Sequence, residues 1–127
     1  MHANDSSPLI LIVDDDPDGR SLYSYALKAE GFRVEEAADG FEAVDKAYKL
    51  RPQVILMDLL MPRLDGWEVV SWLKKNPVTS AIPIVAVTGA EEEIRQKAVE
   101  AGCHVVLTKP CSGTRVVDEV RQLLAAR

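Results

Sequence analysis

Five side chains in this 127-residue chain have the types needed to handle a phosphoryl group: the paired acids Asp14 and Asp15, the acid Asp58, the Thr88 hydroxyl and the Lys109 ammonium. Three carboxylates gathered in one place repel, and each raises the others' pKa unless positive charge intervenes. A hard divalent cation such as Mg²⁺ resolves that conflict with one or two carboxylates, phosphate oxygens and waters. Lys109 adds a point charge, and Thr88 adds a hydroxyl for an incoming oxygen. Such a set suits phosphoryl transfer, where catalysis is mostly positioning and charge neutralisation. An Asp carboxylate can itself be the nucleophile and carry the group as an aspartyl-phosphate. Taken singly, each residue has an ordinary explanation. An acid after a strand is often a cap or turn residue, and a lysine is usually solvated. Only their joint placement argues for a site.

That placement follows from the elements. Leu9 to Val13 is an apolar, β-branched run that stops at Asp14, Asp15 and Asp16. Val54 to Met57 stops at Asp58, Ile82 to Val87 at Thr88-Gly89, and Val105 to Leu107 at Thr108-Lys109-Pro110. Short apolar runs bounded by turn signals read as strands buried on both faces. Phe32 to Ala38 is more polar, as an edge strand would be. Between the strands lie helical patterns. Pro17 suits a first helical turn with Asp16 as its N-cap. Leu22, Tyr25, Ala26 and Ala29 then recur at helical spacing, and Gly31 closes the helix. Phe41, Val44, Ala47 and Tyr48 share one face of a second helix. A third runs from about Trp67 to Lys75 and a fourth from Glu91 to Ala101, with acids in its first turn. Ser112 caps a last helix bearing Val116, Val117, Val120, Leu123 and Leu124. Asp39 and Asp65, each before Gly, read as turn residues.

Strands alternating with helices predict a doubly wound, flavodoxin-like α/β fold: five parallel strands in the order 2-1-3-4-5 with helices on both faces. All strands then end at one edge, where ligands bind in such sheets. Residues 1–8 are expected to form a flexible leader and 9–127 the domain.

Hydrophobic residues make up 47% of the chain, enough for a full core. The net charge of -5 argues against nucleic-acid backbone binding as its main task. Cys103 and Cys111 have no CxxC spacing and read as reduced thiols. His2 and His104 lack zinc-ligand spacing. The polar N-terminus is not a signal peptide, and no apolar run approaches the ~20 residues of a membrane span. The expectation is a cytoplasmic protein with no membrane insertion and no direct DNA binding.

The chain resembles the receiver domain of bacterial two-component response regulators. LIVDDDP looks like that family's acidic opening, VILMDLLMPRLDG its phosphoacceptor motif, IPIVAVTG its Ile-Pro strand ending in Thr or Ser, and VLTKP its closing lysine-proline element. The resemblance implies that Asp58 takes a phosphoryl group from a phosphohistidine of a sensor histidine kinase or phosphotransfer protein. It implies Mg²⁺ held by the side chains of Asp15 and Asp58, by Asp14 chiefly through water, and by the Leu60 carbonyl. Lys109 and Thr88 would each contact a phosphoryl oxygen, and the Lys109-Pro110 bond would be cis. Phosphorylation would rearrange the face made by the fourth helix, fifth strand and fifth helix for a downstream protein target.

Three positions depart from the family pattern. Val106 stands where many members carry Tyr or Phe, so an aromatic rotamer flip is not the readout here. Gly89 follows Thr88 in place of Ala or Ser, and Cys111 follows Pro110 in place of a larger apolar residue. The chain ends just past its last helix, which reads either as a stand-alone signalling or relay module without an output domain or as a receiver excised from a longer regulator or hybrid kinase. It is then a signalling domain that assists its own phosphorylation and dephosphorylation, not an enzyme. The enzyme alternative is a haloacid-dehalogenase-like phosphatase using Asp14 and Asp16; Asp18, where that family wants a small residue, and the short length count against it. A flavodoxin-type cofactor binder lacks its phosphate loop after Val13.

Overall fold

The computed structural model describes residues 4–59, 66–89 and 92–126. The strands are β1 (Leu9–Val13), β2 (Arg33–Ala37), β3 (Val54–Asp58), β4 (Ile84–Thr88) and β5 (Val105–Thr108). They alternate with α1 (Pro17–Ala29), α2 (Gly40–Leu50), α3 (Gly66–Lys75), α4 (Glu92–Ala101) and α5 (Gly113–Ala125). The sheet is parallel throughout, in the order β2-β1-β3-β4-β5. The expected topology is therefore the observed one, and the polar β2 lies at an edge.

β1, β3 and β4 are buried along their whole length. Successive side chains point to opposite faces of a strand, so each strand feeds two apolar layers. Leu11, Val13, Ile55, Met57, Ile84 and Ala86 pack against α2, α3 and α4 through Ala43, Ala47, Val69, Val70, Leu73 and Ala98. Ile10, Ile12, Val54, Leu56, Val85 and Val87 pack against α1 and α5 through Tyr23, Leu27, Val116, Val117 and Val120.

The starts of three helices are fixed by side-chain caps. Asp16, Asp39 and Ser112 accept hydrogen bonds from the amides of Asp18, Glu42 and Arg115. Asp39 is thus a cap and not merely a turn residue. Gly31 and Gly102 take positive φ values of 88° and 114° just beyond α1 and α4, a conformation that glycine adopts without steric cost.

The helical faces read from the sequence need correction in α1 and α2. Tyr23 and Leu27 are the buried apolar side chains of α1, whereas Leu22 and Tyr25 are exposed and so is Ala29. In α2 the buried side chains are Ala43 and Ala47, while Phe41 and Tyr48 face outward. The spacing is helical in both cases, but the bulkiest side chains do not mark the buried face. Against a sheet, small residues let a helix approach closely. The Tyr23 hydroxyl also finds a partner, donating to the Cys111 carbonyl at 3.0 Å.

Candidate functional site

Because the strands are parallel, β1, β3, β4 and β5 deliver their carboxyl ends to one edge. Asp14 follows β1, Asp58 closes β3, Thr88 closes β4 and Lys109 follows β5. Carboxylate oxygens of Asp14, Asp15 and Asp58 lie within 4.8 Å of one another, with Asp15 exposed and the other two buried. Lys109 reaches in from the far side, its Nζ 3.3 Å from Asp58 Oδ2. The Lys109-Pro110 bond is cis, and the Lys109 amide donates to the Thr88 carbonyl at 2.7 Å, tying the two strand ends together. Leu60, and with it the turn acid Asp65, lies outside the described residues, as do Glu91 and His2.

Two features of this edge are unfavourable as they stand. Burial pushes the Asp14 carboxyl above its ordinary value, and the charges of Asp58 and Asp15 push the same way, opposed by the Asp16 amide and Lys109. Thr88 is 1% exposed and its Oγ1 has no hydrogen-bond partner among the described residues. A buried hydroxyl without a partner costs about 1–3 kcal/mol. Two guests would satisfy them: a cation for the carboxylates, and an oxygen-rich anion for the hydroxyl and the lysine. The donor set is all hard oxygen, which fits Mg²⁺ rather than a softer metal.

Other residues support the site without having signalled themselves in the sequence. The Arg20 guanidinium donates to the Asp14 carbonyl at 2.7 Å and lies 3.3 Å from the Glu36 carboxylate, bracing the ends of β1 and β2. Gly19 leaves room for the Asp14 carboxylate, since a Cβ there would come within 2.6 Å of Oδ2. Gly66 backs directly onto the chain just past β3, because a Cβ there would lie 2.3 Å from the Leu59 Cα. Its amide donates to the Leu59 carbonyl at 2.8 Å. In the sequence the pair Asp-Gly at 65–66 reads as turn chemistry, and nothing local indicates that Gly66 is needed for close approach. Asp16, the second acid of the phosphatase alternative, is exposed and spends its carboxylate on the Asp18 amide at 3.1 Å. Among the described residues, the acidic group able to hold a metal comprises Asp14, Asp15 and Asp58, not Asp16.

This constellation has counterparts in known proteins. The family model for the response regulator receiver domain matches residues 10–121. The chain belongs to the response regulator receiver family. Within it, this receiver is 35% identical over 120 residues to the polar-differentiation response regulator DivK of Brucella anthropi, covering 91% of this chain and 94% of that protein. The chemotaxis response regulator CheY4 of Vibrio cholerae has the same fold at TM-score 0.87 and 31% identity, over 93% of this chain and 99% of that one. A CheY-like receiver domain protein from Methanospirillum hungatei matches at TM-score 0.89 and 27% identity, over 95% and 96%. Receivers are signalling modules of two-component systems. Among the described residues, no helix of this one is long and apolar enough to cross a membrane.

Proposed function

We propose that this receiver accepts a phosphoryl group on Asp58 from a phosphohistidine of a sensor kinase or histidine phosphotransfer protein. An Asp58 carboxylate oxygen attacks phosphorus, the P–N bond of the donor breaks, and an acyl phosphate forms while the histidine leaves as imidazole. The observation that carries this reading is the approach of three carboxylates within 4.8 Å with a lysine 3.3 Å from Asp58. Lys109 stabilises the charge on a phosphoryl oxygen. The Thr88 hydroxyl, without a partner among the described residues, donates to another. Asp14, Asp15 and Asp58 would hold Mg²⁺, together with the Leu60 carbonyl that the family resemblance implies, and the ion would neutralise charge on the transferred group. The same residues orient water for hydrolysis, so the receiver assists both its phosphorylation and its dephosphorylation.

Phosphorylation then biases the α4–β5–α5 face, where a downstream protein target docks. The working domain is taken as residues 9–127 after a short leader at 1–8, acting in the cytoplasm as a signalling or relay module that does not bind DNA directly. The test is labelling with acetyl phosphate and Mg²⁺, read by intact mass. The wild-type chain gains one phosphoryl group, and Asp58→Ala gains none. Undiminished labelling of that variant would overturn the assignment.

A further inference from the structure

On the face of the sheet away from α1 and α5, the outer stripe of α3 runs Glu68, Ser71, Trp72, Lys75. Trp72 is 43% exposed, a large apolar side chain left in water at the middle of that stripe. It forms the ridge between two depressions. One, of ≈ 540 Å³, lies between α3 and α4, and its lining includes Glu68, Ser71, Lys75, Lys97 and Glu100. The other, of ≈ 390 Å³, lies between α2 and α3, lined by Phe41, Val44, Glu68 and Val69 as well as Trp72. Phe41 is 66% exposed, so the apolar surface continues onto α2. Around the ridge the charges cancel: Lys75 and Lys97 face Glu68 and Glu100 across the first depression, in a chain of net charge -5. None of the ion pairs among the described residues uses Glu68, Lys75 or Glu100. Glu68 and Lys75 stand two helical turns apart, about 10 Å along the axis, too far to pair with each other. The helix dipole accounts for an acid in the first turn and a base in the last. It does not account for a tryptophan exposed between them.

We infer that this face pairs two copies of the chain, their α3 helices antiparallel about a twofold axis that crosses them between Ser71 and Trp72. The order acid, small, aromatic, base is its own complement when reversed. Glu68 of each copy then meets Lys75 of the other, and each Trp72 ring lies over the small Ser71 of the other. Such a contact is isologous, the kind that closes a dimer and leaves no open end. Because the axis runs across α3, the α2 side of one copy meets the α2 side of the other, and the two Phe41 rings cover each other. The charge pattern favours a second copy over a different protein. A strongly acidic or basic partner would meet as many like charges here as opposite ones, whereas the reversed stripe matches every charge of α3. Two copies of a chain of net charge -5 repel over most of their surface, and this balanced face is where they can approach. One helix with its flanking grooves is a small contact, so the pairing is reversible. Asp14, Asp58, Thr88 and Lys109 line neither depression, and the inference stands apart from the phosphoacceptor reading.

The test is sedimentation equilibrium of the full-length chain over about a hundredfold range of concentration, since mass action governs pairing. The weight-average mass is expected to climb from one chain toward two, and dilution is expected to shift the Trp72 indole resonance. Trp72→Ser, at an exposed position, should weaken pairing by about tenfold or more. Glu68→Lys and Lys75→Glu each set like charges against each other and should weaken it by about tenfold or more. An equimolar mixture of these two single variants is the sharpest sample. In the mixed pair both contacts again join opposite charges, so association returns, which damaged folding of either variant cannot produce. The double variant carrying both changes is expected to pair like wild type. A chain that stays monomeric across the range leaves the face to a different protein and overturns the inference. So does a dimer that the single substitutions do not weaken, and so do single variants that lose pairing without recovering it in the mixture.

Discussion

Ile55 and Asp58 stand on the same strand and are both shut away from water, at 0% and 7% exposure. Ile55 is surrounded by Leu11, Ile84 and the helical side chains of one apolar layer. Asp58 sits among Asp14, Asp15 and Lys109. The middle of the sheet gains by removing apolar surface from water, about 25 cal/mol per Å². Its carboxyl edge excludes water from groups that need it, leaving one carboxyl with a raised pKa and one hydroxyl without a partner. The contrast separates two jobs. The slab supplies stability, and the edge spends some of it to hold charges where a guest will meet them. If that division is right, truncation should cost in the slab and neutralisation should help at the edge.

The largest effect is expected in the slab. Ile55→Ala removes buried methyl and methylene groups from a fully covered position and leaves a cavity, with an expected loss of about 2–5 kcal/mol. Urea unfolding should show a lower midpoint at an unchanged slope. A loss well under about 1 kcal/mol would mean that the layer relaxes around the gap and is not the stabilising half of the molecule.

At the edge the sign reverses. The folded chain holds Asp14 above the ordinary carboxylate value of 3.8, mainly through burial. Across the window above that value the native state therefore binds more protons than the unfolded state, so the Asp14 contribution to stability falls as pH rises and stays unfavourable at neutral pH. Asp14→Asn removes the charge and can keep the bond that Asp14 Oδ1 accepts from the Asp16 amide at 2.9 Å. Thermal unfolding without divalent cation should show the variant more stable than wild type by a few degrees at pH 7, with the gap closing as pH approaches the ordinary carboxylate value. Added Mg²⁺ should raise the wild-type midpoint and leave the variant's nearly unchanged, because binding to the native state alone is stabilising. A variant less stable than wild type at pH 7 would show that the carboxylates help to hold the edge together.

The same division explains what could be read in advance. Apolar runs ending in acid, hydroxyl or lysine were visible one strand at a time, and parallel topology alone sufficed to gather Asp14, Asp58, Thr88 and Lys109 at one edge. The helical faces were harder. Leu22, Tyr25, Phe41 and Tyr48 are bulky and periodic yet exposed, because a helix lying on a sheet is seated by whichever face fits closely. In α2 that face is Ala43 and Ala47. The braces around the site were illegible for another reason. Tyr23 meets the Cys111 carbonyl from across the chain, and Gly66 is needed because of where Leu59 lies, not because of its own neighbours in sequence. Such pairings are consequences of the fold and leave no local pattern.

Thr88 gives the smallest effect and the sharpest test of the comparison. Its Oγ1 is the buried side-chain polar atom that lacks a partner among the described residues. Valine has nearly the same shape and no hydroxyl. Thr88→Val should therefore leave the unmodified chain as stable as wild type or up to about 1 kcal/mol more stable, since it removes an uncompensated polar group. The loss should appear only once Asp58 is labelled. With acetyl phosphate and Mg²⁺, amide shifts in β5 and α4 should be much smaller in the valine variant, while Thr88→Ser, which keeps the hydroxyl, should retain them despite a small cavity. A valine variant destabilised by more than about 1 kcal/mol before labelling would mean that the hydroxyl already serves the resting fold. A full shift response in that variant would mean that the signal leaves the edge by another route. Only a hydroxyl that is a burden at rest and a contact after modification fits stability gained together with response lost.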